Sequence, residues 1–300
     1  MSKSVSIQAP AKINLALSVG PPEPANTPDA GMHPVASWMT AVDLFDDITL
    51  ENADEISLDA KFADDAPAPS PIGWLTGDDL AVRALKRLGE HTGTELNARI
   101  TIRKRIPVGG GLGGGSSDAA ATLNAANRLF GLGLGPVELQ AIGRTLGSDI
   151  PFFLDEGDTP RPAIVTHFGE LIRRVELRPT KLVLVMPGFG CHTGDVYTQY
   201  DQAPLTLDAA KTVALAERGE VDTEQLFNDL ALAAQRTQPE IETVMLRLGR
   251  VVNGPIHVSG SGSTLFVVTD KPDTLASEIA NRVTGVRCAA VTTLTGTGSA

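Results

Sequence analysis

The sequence predicts a globular fold that mixes strands and helices, and three adjoining stretches carry that reading. Ala98-Arg-Ile-Thr-Ile-Arg-Lys-Arg-Ile106 alternates apolar and polar residues like a half-buried strand. Ala119 to Phe130 is rich in Ala and Leu and reads as a helix. Between them, six of the seven residues from Gly109 to Gly115 are glycine. Glycine admits positive φ and lets another group approach closely, at a cost in chain entropy that something must offset. Strand, glycine loop and helix N-terminus in that order form an anion cradle, because free N–H groups and the helix dipole face the same point. Ser116 or Ser117 is the expected N-cap, with Asp118 in the first turn.

Composition sets the outer bounds. Three hundred residues accommodate one large or two medium domains. An apolar content of 42% with 20% charged residues is that of a soluble globular chain. The formal charge of −11 argues against nucleic acid as a partner. Locally, Arg103, Lys104 and Arg105 can still serve one phosphorylated ligand. Cys191 and Cys288 suffice for neither a disulfide framework nor a metal cluster. No apolar run is long enough for a membrane, and Met1-Ser-Lys-Ser lacks a signal-peptide core, so a cytoplasmic location is expected. No protein partner is legible.

The remaining elements follow in chain order. Val5 to Val19 alternates like strands broken at Pro10, with Lys12 and Asn14 on the polar side. Pro21 to Gly31 is a loop, and Gly31-Met-His-Pro-Val leads into an apolar stretch ending near Leu50. Asn52 to Asp79, acidic and rich in proline, reads as a long surface excursion. Asp79 to Leu88 and Pro136 to Leu146 have helical spacing, and Gly131 to Gly135 breaks the chain before the second. In Leu146-Gly-Ser-Asp-Ile-Pro-Phe-Phe-Leu154, Asp149 either caps a turn or carries a function. Lys181 to Pro187 is a buried-strand signal, and Pro255 to Val268 reads as strand, glycine turn, strand. Thr292 to Ala300 is expected to fray.

The glycine loop is not a P-loop, since no Gly-Lys-Ser/Thr follows, and a dinucleotide fingerprint through Gly109, Gly111 and Gly114 lacks its acidic partner. A triphosphate loop of another kind remains. Pro107-Val-Gly-Gly-Gly-Leu-Gly-Gly-Gly-Ser-Ser-Asp-Ala119 resembles the ATP loop of the GHMP kinase superfamily. Pro10-Ala-Lys-Ile-Asn-Leu15 is similar to that family's first motif, and Ser259-Gly-Ser-Gly-Ser-Thr264 to its third, with Ser263 in place of proline.

That resemblance implies a two-domain α+β protein: a ribosomal-protein-S5-like ATP-binding domain over residues 1–170, a ferredoxin-like substrate-binding domain over 171–300, and ligands in the cleft between them. It implies ATP held by Pro107, Val108, Gly109, Gly110, Gly111, Leu112, Gly113, Gly114, Gly115, Ser116 and Ser117. Mg²⁺ would bridge phosphates, with a loop serine as a candidate ligand and no carboxylate cage legible. Gly147-Ser-Asp-Ile-Pro-Phe-Phe153 matches the segment bearing the catalytic aspartate, so Asp149 is the implied base and Lys12 its partner.

The doubled Gly-Gly-Gly resembles most closely a branch that phosphorylates a CDP-linked methylerythritol. There Asn14, His33, Thr193 and Tyr197 would meet the substrate, His33 at the cytosine. Met32 stands where that branch carries an aromatic residue, and Asp79 where it often has asparagine. Of the family's Ala/Gly-rich turn after Asp155, only Gly169-Glu170 is clear, while Phe227-Asn-Asp-Leu230 matches. Two other readings stand beside this one. A sibling GHMP kinase for mevalonate, homoserine or a sugar is opposed by His33, Tyr197 and the doubled glycines. A non-catalytic nucleotide-binding regulator has no need of both Lys12 and Asp149.

Overall fold

The computed structural model describes residues 3–296. The first half of the chain runs β1 (Ser4–Val19), β2 (Val35–Asn52), β3 (Ser57–Phe62), α1 (Leu80–Thr92), β4 (Ala98–Lys104), α2 (Gly114–Phe130), α3 (Pro136–Arg144), α4 (Ile150–Phe153), β5 (Ala163–His167) and β6 (Leu171–Arg174). The second runs β7 (Lys181–Pro187), α5 (Thr193–Tyr200), α6 (Ala209–Ala216), β8 (Phe227–Asn228), α7 (Ala231–Thr237), α8 (Glu240–Leu248), β9 (His257–Val258), β10 (Leu265–Val268), α9 (Pro272–Arg282) and β11 (Val286–Thr292). The strands form one sheet in the order β3-β4-β2-β1-β8, with the β5–β6 hairpin also on β2, and a second in the order β11-β7-β10-β9.

The two long strands β1 and β2 are the frame of the site. They pair antiparallel from Ser4 opposite Glu51 to Val19 opposite Val35. Contrary to the break expected from sequence, Pro10 lies within a continuous β1. It lies opposite Phe45, and the register shifts between Pro10 and Ala11 and again between Asn14 and Ala16. Proline lacks a ladder donor, so it is tolerated at such bulges, and bulges re-aim neighbouring side chains. Lys12 and Asn14 sit between the two shifts, and both are buried rather than on a solvated strand face.

Packing is continuous across the two halves. Helices α1 and α2 cover one face of the first sheet through Leu85, Leu88, Leu123 and Ala126 against Ile48, Leu50 and Ile100. A separate cluster joins the sheets, with Ile13, Leu15 and Trp38 against Leu182, Leu184 and Phe266. The division at 170/171 remains a proposal: β6 pairs with β5 and β8 with β1, so sheet membership follows no single cut in the chain.

Three expectations change. Within the excursion from 52 to 79, Ser57–Phe62 forms an edge strand parallel to β4; its alternation in Ile56-Ser-Leu-Asp-Ala-Lys-Phe62 was the available signal. Helix α2 starts at Gly114 with Gly113 as N-cap at φ 69°, so Ser116 and Ser117 lie in its first turn and Asp118 beyond it. The start of the expected frayed tail is instead tied down: Thr292 N–H donates to Asp43, Thr293 is buried and Leu294 N–H donates to Ala41. Residues 297–300 of that stretch lie outside the described residues.

Candidate active site

The glycine loop is held by its carbonyls. Gly109 C=O accepts from Cys191 N–H (3.0 Å), Gly110 C=O from Thr264 N–H (3.1 Å), Leu112 C=O from Lys12 N–H (2.9 Å) and Gly113 C=O from Ser117 N–H (2.9 Å). Gly111 C=O accepts from the Ser259 hydroxyl at 3.2 Å. The N–H groups of the same five residues donate to no protein acceptor among the described residues. The first N–H groups of α2 beside them are unpaired by helix geometry. A row of unpaired amides at a helix N-terminus is what a polyphosphate needs.

Two of the glycines are required for packing. A Cβ on Gly111 would stand 2.3 Å from the Ser259 carbonyl oxygen, and one on Gly113 would stand 2.8 Å from the Lys12 side chain. The loop also contacts the turn at 259–264, through Ser259 and Thr264. Asn228 braces that turn, donating to the carbonyls of Val258 and Gly260 at 2.8 Å each, while Leu230 N–H donates to its side-chain oxygen.

Lys12 Nζ lies 3.3 Å from Asp149 Oδ2 and donates to Asn14 Oδ1 at 2.8 Å. Asn14 donates to the Ser37 hydroxyl, which donates to the Ala16 carbonyl. This chain, invisible in the sequence because Ser37 is 23 residues away, fixes the ammonium from behind. Asp149 is in the N-cap position of α4, yet its side chain makes no capping bond. Its carboxylate is 31% exposed and faces the cleft.

At the far end, the His33 and Tyr197 rings lie 4.8 Å apart, tilted by 45°. His33 Nδ1–H donates to the Gly20 carbonyl (3.1 Å), and Nε2 stands 3.3 Å from Asp201. Burial, and then the charge of Asp149, push the Tyr197 phenol up, so it stays neutral. Thr193 is exposed, with its hydroxyl 3.0 Å from that of Ser261. Met32 lies open at the rim, 44% exposed. One cleft of about 780 Å³ joins Lys12, Asn14, Asp149, His33, Thr193 and Tyr197 with the loop. It also takes in Trp74, Phe168 and Asp201, which sequence reasoning missed; Asp201 follows Tyr197 by one helical turn, the one periodic signal available.

The basic run before the loop is paired with carboxylates, while Lys104 and Asp118 also line the cleft. Lys104 is 4% exposed and bridges Asp46 (2.5 Å) and Asp118 (2.6 Å). Arg103 pairs with Asp59, and Arg105 with Asp47 and Asp65. Burial would pull the Lys104 ammonium down, but the two carboxylates outweigh it and raise it. Burial raises Asp118 against the opposing charge of Lys104. Asp79 lines the cleft as well, with its oxygens accepting from Ala81 N–H and Trp74 Nε1–H, both at 2.8 Å.

Comparison with known proteins identifies the family. Residues 79–157 match the GHMP kinases N terminal domain. A 4-diphosphocytidyl-2-C-methyl-D-erythritol kinase of a Nocardioides species is 35% identical, over 89% of each chain. The kinase of the same name from Leifsonia xyli is 35% identical over 95% of this chain and 94% of its own. A crystal structure of 4-(cytidine 5'-diphospho)-2C-methyl-D-erythritol kinase superposes with a TM-score of 0.73 at 31% identity, covering 96% of this chain and 99% of that one. A mevalonate kinase of L. major in complex with R-mevalonate superposes at 0.67 with 13% identity, covering 98% and 97%, a likeness of fold alone.

Proposed function

This chain belongs to the 4-diphosphocytidyl-2-C-methyl-D-erythritol kinases, a branch of the GHMP kinases, and we propose that it transfers the γ-phosphoryl group of ATP to the 2-hydroxyl of 4-diphosphocytidyl-2-C-methyl-D-erythritol. The step lies on the non-mevalonate route to isoprenoid precursors. One observation carries the reading: the Lys12–Asp149 pair, 3.3 Å apart, sits where the loop's unpaired amides and the His33–Tyr197 pocket open into one cleft.

The loop amides and the α2 N-terminus would hold the triphosphate. Asp149 would accept the hydroxyl proton while the oxygen attacks the γ-phosphorus and the bridging oxygen leaves with ADP. The transferring group is loosely bonded in the transition state, so positioning and charge stabilisation dominate. Lys12, held by Asn14, would meet the charge that develops on the phosphoryl oxygens.

A Mg²⁺ ion fits this donor set as a phosphate-held ion. No cluster of three or more acidic, His or Cys ligands exists among the described residues, while the buried Ser117 hydroxyl in the first turn of α2 has no hydrogen-bond partner. Ser117 or Ser116 would supply a protein oxygen. When bound, the ion neutralises charge on the β- and γ-phosphates.

The cytidine would lie against Tyr197 and Met32, with His33 reading the base through Nε2 in exchange for its contact to Asp201. The distant base never reacts, so its binding energy serves to position the hydroxyl. The test is kcat/KM for the CDP-linked alcohol against methylerythritol, its 4-phosphate and mevalonate. The expected result is a severe loss of turnover on every truncated acceptor; equal values, or a preference for mevalonate, would overturn the substrate while leaving a GHMP kinase.

A further inference from the structure

Residues from Asp155 to Arg174 hold a buried polar cluster that the reaction itself does not use. Arg174, at the end of β6, has a side chain only 14% exposed. Its Nη2 donates to the carbonyls of Phe152 (2.8 Å) and Leu154 (3.2 Å), and its Nη1 to that of Arg161 (2.7 Å). Its Nε stands 3.2 Å from Asp155 Oδ2, and its guanidinium lies 5.4 Å from the centre of the Phe152 ring. Gln140 donates to the same Leu154 carbonyl at 2.6 Å. Asp155 is fixed in turn by Arg161, through two side-chain bonds and a backbone N–H.

These contacts bear on Asp149 because α4 is a single turn, Ile150–Phe153, with Asp149 at its N-terminus. So short a helix has no strength of its own. Its last carbonyls are orphans that must find donors, and a cation there also complements the helix dipole. The same hairpin grips the other side of Asp149: a Cβ on Gly169 would stand 2.6 Å from the Ser148 carbonyl oxygen, which leaves the turn seated directly on the residue before the aspartate. The β5–β6 hairpin therefore clasps residues 148–154 at both ends.

We propose that Arg174 is a positioning residue for Asp149, setting the reach of the carboxylate by capping the helix on which it rides. This rests on the reading of Asp149 as proton acceptor. A displacement of about 1 Å in a reacting group can cost up to about 100-fold in rate, whereas Arg174 is not among the residues lining the cleft that the ATP loop and the His33–Tyr197 pocket share.

The test is a double-mutant cycle. Arg174→Met, which keeps the apolar stem, and Arg174→Lys, which keeps the charge but not the fork, are each measured alone and combined with Asp149→Asn. On the native aspartate, Arg174→Met should lower kcat by about 10- to 100-fold, with KM for ATP and for the CDP-linked alcohol nearly unchanged. Arg174→Lys should lie between it and the unaltered enzyme. On Asp149→Asn, neither should lower kcat much further, because there is no base left to place. An equal fold-loss in both backgrounds, an unchanged kcat, or a change confined to KM would overturn the proposal. Should methionine at 174 prevent folding, the lysine variant decides by the same comparison. If Asp149→Asn alone leaves kcat intact, the base assignment fails, which is a different outcome from additivity in the cycle.

Discussion

Two lysines bracket the glycine loop, and their surroundings differ in an instructive way. Lys104 enters the loop from β4 and is sealed between Asp46 and Asp118, all three buried. Asp46 is further satisfied by the N–H groups of Arg105 and Ile106. Lys12 arrives from β1, and its carboxylate partner is longer-ranged at 3.3 Å and open to the cleft. The first arrangement gives Asp46 three donors, pairs Asp118 through Oδ2 alone and leaves Asp118 Oδ1 buried without a partner, while bracing both ends of the loop. The second leaves Asp149 with unused acceptor capacity, as a proton acceptor requires. The same residue types build a strut in one place and a reactive pair in the other, and the difference lies in burial: the Asp46 and Asp118 side chains are almost wholly buried, whereas Asp149 opens to the cleft.

The largest expected effect that would break this comparison is on turnover. Asp149→Asn should keep the fold and the affinity for ATP by calorimetry while lowering kcat by about 10²–10⁴-fold; turnover within a few-fold of the unaltered enzyme would remove Asp149 from the reaction. Next comes stability. Lys104→Met leaves two buried carboxylates without their cation, and breaking such a cluster typically costs about 3–5 kcal/mol. Lys12→Met should cost activity with a much smaller fall in Tm. Comparable losses of Tm in the two variants would make the contrast illusory.

A smaller effect sharpens the picture at a third carboxylate. Burial pushes Asp155 up, but its bonds to Arg161 and the charge of Arg174 outweigh that and hold it at about 2. A folded-state value below the unfolded one contributes stability that is present above the ordinary aspartate value of about 3.9. That contribution is lost as pH falls toward about 2. Asp155→Asn should therefore flatten the acid limb of a Tm-versus-pH curve between those limits and leave Tm at neutral pH lower; an unaltered acid limb would refute the assignment.

What could be read from the chain, and what could not, follows sequence distance. The glycine loop announces itself because its composition is its function, and Asp149, Lys12, His33 and Tyr197 each sit in a short segment with its own signature. The structure gathers them in one cleft. Misread features depend on remote partners. Lys104 looks like a free cation until Asp46, 58 residues away, is folded against it. Pro10 looks like a strand end until β2 supplies a register that absorbs it. The helix start was misplaced because a left-handed Gly113 took the cap ahead of either serine. Arg174 belongs to a four-residue strand with nothing local to mark it, and its role is written in the carbonyls of Phe152 and Leu154.

The five bonded carbonyls of the loop have a consequence for how a nucleotide is captured. Their donors come from β1, from Cys191 after β7, from the turn before β10 and from α2 itself. Fixing one residue of backbone costs about 1–2 kcal/mol. For a run rich in glycine that toll would be heavy if it fell due on each encounter with a ligand. Here it is settled once, when the chain folds, by elements from both halves of the molecule. The loop is thus a fixed socket rather than a flap, and it also stitches the two halves together at their seam. Capture of the phosphates is then a docking event against amides already in place, and any adjustment to the ligand falls to side chains at the rim, such as the open thioether of Met32.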